Sequence, residues 1–115
     1  MIHPMGLAEP DFQKVVNGTK TLELRLFNDK RSQIKIGDSI LFESRGSDSR
    51  KVTCEVRSIH RGNTFFELFS SQLNPKHAGF SSTNSTVKAV RRFYSEEDEK
   101  AAGVICFGIK LSQVG

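Results

Sequence analysis

The sequence predicts an α+β fold built on a small, partly open β-barrel with short flanking helices. Three observations carry this. Several short runs alternate apolar and polar residues with period two. Those runs are joined by tight-turn and hairpin signals such as Gly37-Asp38. The helical segments are short and do not alternate with strands in the βαβ order of a parallel sheet. At 115 residues the chain fits one domain, 1–115, long enough to bury an apolar core without staples.

Taken in order, residues 1–7 read as an edge strand. Pro10 marks a first helical turn, with Glu9 and Asp11 where a helix N-terminus favours carboxylates. Phe12, Val15 and Val16 give that helix one apolar face, and Gly18 closes it. From Lys20 the period is two: Leu22, Leu24 and Leu26 face one side, Thr21, Glu23, Arg25 and Phe27 the other. A polar turn at 28–32 follows. Ile34 and Ile36 lead to the Gly37-Asp38 turn and a strand at 39–43. Residues 45–50 read as a hairpin loop. The strand at 51–60 slips phase before Ile59, which predicts a bulge. Thr64 caps a short helix holding Phe65, Phe66, Leu68 and Phe69, and 70–83 reads as irregular. Asn84 or Ser85 is expected to cap a helix over 86–94. Ser95 begins an acidic turn at 96–99, and Gly103 precedes a final strand apolar on both sides, hence central.

Net charge is +4 and the isoelectric point near 9.3, which favours anionic partners, nucleic acid before membrane. No apolar run approaches the roughly 20 residues that span a bilayer, and no leader-like segment opens the chain. Cys54 and Cys106 fall in strand-like apolar runs and read as buried, reduced thiols. There is no Cys-x-x-Cys and the three histidines are scattered, so no metal site is expected. These features together read as cytoplasmic, with no cofactor implied.

The stretch with the most chemistry is Gly18-Thr19-Lys20-Thr21-Leu22-Glu23-Leu24-Arg25. It gathers two cations and a carboxylate at a helix-to-strand junction, a rigid place from which to present a ligand site. Arg25 suits a phosphate or base edge held bidentately, and Glu23 an exocyclic amine. Lys20 suits a phosphate or, if desolvated, a base's role. The competing reading is an exposed ion pair worth about 0–1 kcal/mol.

This octapeptide resembles the Gly-x-Lys-x-x-Glu-x-Arg signature of the ASCH domain (activating signal cointegrator homology). Gly37-Asp38 before an apolar strand and the closing strand from Gly103 are similar too, so the likeness covers nearly the whole chain. The resemblance implies a PUA-like barrel that binds RNA, or a nucleotide or nucleoside derived from it, in a cleft between barrel and first helix. It implies two enzymatic alternatives: removal of the acetyl group from 4-acetylcytidine, and ribonuclease activity. Lys20, with Glu23, would be catalytic in either. The amidohydrolases have Thr three residues after that lysine, where this chain has Glu23. Their downstream Glu has no counterpart near 76–80. Coactivator members imply a third possibility, a protein-interaction module.

Further candidates lie outside the octapeptide. Lys30 and Arg31 follow the motif strand directly and read as phosphate contacts at the cleft rim. Lys88, Arg91 and Arg92 form a basic helical stripe, either a phosphate contact or a solvated face neutralised by the acidic run at 96–99. His3 is a candidate to line the cleft and His77 a candidate base in a nuclease-like site, each as an alternative to an uninvolved histidine; no triad is visible around either or around His60. Phe65, Phe66 and Phe69 read as core by their helical spacing, and Tyr94 as a stacking candidate.

Overall fold

The computed structural model describes residues 1–46 and 49–114. Ser47 and Asp48, at the tip of the expected hairpin loop, lie outside the described residues. Five strands, β1 (Ile2–Leu7), β2 (Leu22–Leu26), β3 (Ser39–Ser44), β4 (Lys51–Gly62) and β5 (Val104–Val114), form one sheet in the order β1-β3-β4-β5-β2. The sheet curls into a half-barrel, so β1 and β2 are its two free edges. β1 runs parallel to β3; every other pair is antiparallel. The phase slip read in the sequence is real: the β4–β5 register shifts between Val56 and Ser58. Ser58 then sits against Gly108, where a side chain would collide with the serine hydroxyl.

Helix α1 (Glu9–Val16) buries Phe12 and Val15 and carries Pro10 in its first turn. Gly18, at φ +82°, reverses the chain, and the Lys20 amide donates back to the Lys14 carbonyl at 3.0 Å. The polar turn at 28–32 is one turn of helix, α2 (Asp29–Ser32), because the Asn28 side chain caps it by accepting from the Arg31 amide. Thr64 caps α3 (Phe65–Ser71) as expected. The stretch read as irregular contains a 3-10 turn at Pro75–Ala78, capped by Asn74. Helix α4 (Thr83–Val90) starts earlier than expected. Ser82 is its cap and Ser85 its reciprocal partner, so both serines are used three residues apart. It also ends at Val90, leaving Tyr94 beyond it. Helix α5 (Glu96–Ala102) is closed by the same kind of pairing between Ser95 and Asp98.

Both sheet faces are covered. Phe12, Ile40, Phe42, Val56, Ile105 and Phe107 lie in one apolar cluster with α1. Leu22, Leu24, Phe65, Phe69, Val90 and Cys106 lie in a second one with α3 and α4. β5 feeds both, odd residues to the first and even ones to the second, which explains its apolar character on each side. Phe66 departs from its expected core role and is exposed. Cys54 and Cys106 are free and buried; burial raises the Cys54 thiol to about 11 and the Cys106 thiol further. No helix among the described residues is long and apolar enough to cross a membrane.

Candidate functional site

The half-barrel leaves a seam between its free edges, and a pocket of about 320 Å³ opens there. β1 contributes Gly6 and Leu7, β2 contributes Glu23, Leu24 and Arg25, and α1 contributes Asp11. Arg25 crosses the seam: its Nη2 donates to the Gly6 carbonyl at 2.7 Å. Gly6 has no side chain to block the opening, and the Arg45 guanidinium lies across it.

Alternation along β2 sends Leu22 and Leu24 into the second apolar cluster and turns Glu23 and Arg25 the other way. Glu23 pairs in register with Phe107, deep beside the first cluster, and is 2% exposed. Lys20 is 6% exposed. Its Nζ lies 3.2 Å from Glu23 Oε1 and 3.9 Å from Asp11 Oδ1. Glu23 Oε1 also accepts from the Leu24 amide at 3.0 Å, and Oε2 accepts from Arg25 Nη2 at 2.8 Å and Nε at 3.3 Å. Both oxygens are therefore occupied by the protein's own donors. Burial pushes the Glu23 carboxyl up, but Lys20, Arg25 and the Leu24 amide outweigh it and hold the group below its ordinary 4.5. Burial likewise pulls Arg25 down, while Glu23 and then the Tyr94 hydroxyl hold it above its usual value. Glu23 thus pairs with two cations that both line the pocket.

Of the other expected residues, Arg31, Arg92 and Tyr94 line this pocket. Arg31 Nη1 is steadied by the Leu26 carbonyl at 2.8 Å. Lys30 and Lys88 are exposed and stand outside the lining. Arg91 is engaged elsewhere, paired with the buried Glu99. His3 binds Asp38 at 2.8 Å, His60 contacts Ser58, and exposed His77 contributes its backbone carbonyl to the Thr21 amide; none of the three lines the pocket. The sequence reading missed Asp11, Arg45, Phe80 and Phe93. Phe93 had a legible signal: it falls off the apolar face of Val87, Val90 and Tyr94. Arg45 had none, because a loop gives no period. Among the described residues no group of three His, Cys, Asp or Glu is placed to hold a metal ion.

A family model described as the ASCH domain matches residues 5–113. Among solved structures, hypothetical protein PH0355 superposes with a TM-score of 0.82 at 33% identity, covering 97% of this chain and 100% of that one. Protein PF0455 from Pyrococcus furiosus gives 0.65 at 30% identity, covering 96% and 97%. The ASCH protein from Zymomonas mobilis gives 0.64 at 15% identity, covering 98% of this chain and 69% of that one, a likeness of fold. No curated protein matches the sequence.

Proposed function

This chain belongs to the ASCH domain family, and from that premise we propose that it binds RNA, or a nucleotide unit of RNA, in the seam pocket. The observation that carries the reading is the pocket's charge. Among the described residues, Lys20, Arg25, Arg31, Arg45 and Arg92 line it against Asp11 and Glu23. Glu23 and Asp11 already offset Lys20 and Arg25. Arg31, Arg45 and Arg92 have no carboxylate partner among the described residues. Guanidinium groups in that state suit phosphate oxygens, which they bind with charge-assisted, paired hydrogen bonds. A volume of about 320 Å³ is at the small end for ligand sites and fits one nucleotide rather than a helix.

The test is fluorescence anisotropy of a labelled RNA across a salt series, with wild type and the variants Arg31→Gln, Arg45→Gln and Arg92→Gln. The expected result is linear loss of log affinity with log salt, its slope reduced by about 1 for each arginine that meets a phosphate. Wild type that binds no RNA, or three variants with unchanged slopes, overturns the proposal.

The hydrolase reading, on 4-acetylcytidine or on RNA, draws on a different observation: a buried amine, Lys20, lines a pocket of nucleoside size. Against it stands the commitment of that amine to two carboxylates. Incubating the protein with 4-acetylcytidine, and running the bound RNA on a gel, separates the readings. Release of acetate or a shortened RNA, abolished by Lys20→Met, makes the site catalytic.

A further inference from the structure

Phe93 is a large apolar ring left 57% exposed at the pocket mouth. It belongs to neither apolar cluster. Tyr94 reaches it only at a tilt of 55°, with centroids 6.5 Å apart. The Arg92 guanidinium stands 5.9 Å from its centroid. An aromatic face with an arginine beside it, next to further arginines without carboxylate partners among the described residues, offers stacking and phosphate capture side by side. Those are the two elements of single-strand recognition.

Resting on the reading of the pocket as an RNA site, we propose that its ligand is an unpaired nucleotide whose base stacks on Phe93, so that the RNA is single-stranded where it enters. The size of the pocket supports this. In a duplex the base faces are covered by their neighbours and the phosphates lie outside. A base reaches Phe93 only after leaving that stack, which is costly in a helix and far less so in a single strand. The arginines alone make no such distinction, since both forms carry phosphates.

The experiment uses a short single-stranded RNA carrying one 2-aminopurine and the same strand annealed to its complement. The proteins are wild type, Phe93→Ala, Phe93→Leu and Phe93→Trp. Because Phe93 is exposed, these variants keep the core, which circular dichroism checks. The expected result is single-strand binding at least about ten-fold tighter than duplex binding, with 2-aminopurine quenched on binding. Phe93→Ala and Phe93→Leu should weaken single-strand binding by about 5- to 150-fold, the range for one lost stacked base. They should abolish the quenching and leave the salt slope unchanged, since no charge is removed. Phe93→Trp should retain both affinity and quenching. Equal binding by wild type and Phe93→Ala, or duplex binding as tight as single-strand binding, overturns the proposal while the salt-dependent arginine contacts still stand. Absence of RNA binding in either form removes the proposal together with the reading beneath it.

Discussion

An ionised carboxylate loses its hydration when buried and persists only where other charges replace the water. Glu23, 2% exposed, has Lys20 on one oxygen and Arg25 on the other. Glu23→Gln removes the charge that compensates two cations and is expected to cost about 3–5 kcal/mol, the range for breaking a buried pair; urea denaturation measures it. The pH dependence has a definite sign. A carboxyl held below its ordinary 4.5 contributes stability that is complete above that value and lost as pH falls through the lowered one. Asp38 adds a second loss between 3.8 and about 2, where His3, the Lys35 amide and the N-terminal amine hold it. Wild-type stability should begin to fall below about pH 4.5, and Glu23→Gln should fall less steeply, since only the Glu9, Asp38 and Asp98 carboxyls then lose their lowered state. Parallel curves for the two proteins would contradict this. The sequence put Glu23 and Arg25 on one strand face by period alone. Their burial was not legible, because alternation gives a direction and not the depth of what lies there.

Helix α5 buries one side chain, Glu99. Glu99 is fully buried, accepts from the Phe65 amide at the start of α3 at 2.7 Å, and pairs with Arg91 just past α4. Three helices thus meet at one carboxylate. Glu99→Ala leaves a buried amide without an acceptor and is expected to cost about 2–4 kcal/mol. Hydrogen exchange should show the loss first at the N-terminus of α3; protection unchanged there would contradict the assignment. The same contact divides the basic stripe. Arg91→Gln should lower stability and leave the salt slope of RNA binding intact, while Arg92→Gln should lower the slope and leave stability intact. Helical spacing put Lys88, Arg91 and Arg92 on one face, but α4 ends at Val90. Lys88 stays on the helix and faces solvent, while Arg91 and Arg92, past its end, go to Glu99 and to the pocket. The N-terminal cap was likewise not legible: Ser82, Asn84 and Ser85 all satisfy the cap rules, and the structure uses Ser82 with Ser85 as its partner.

Across the whole molecule, β5 ties the two apolar clusters together, since Phe107 and Cys106 are neighbours on opposite faces. Unfolding is therefore expected as one transition. With one tyrosine and no tryptophan, the fluorescence of Tyr94 reports the second cluster and the pocket alone. Its thermal curve should coincide with far-ultraviolet circular dichroism, and Phe107→Ala should shift both together by about 3–5 kcal/mol. Separate midpoints would show that the clusters melt independently. The sequence by itself determined the α+β class, the strands and their faces, the bulge before Ile59, the end of α1 at Gly18 and the family signature. All of these follow from spacing, turn residues and caps within a few positions of one another. Only the tertiary structure decided that the two ends of the sheet order, β1 and β2, meet across a seam. It also decided that Asp11, Arg45, Phe80 and Phe93 share that seam with Lys20 and Arg25. Those residues are brought together by the curl of the sheet and by loop paths, which depend on packing across the whole chain and leave no periodic trace in it.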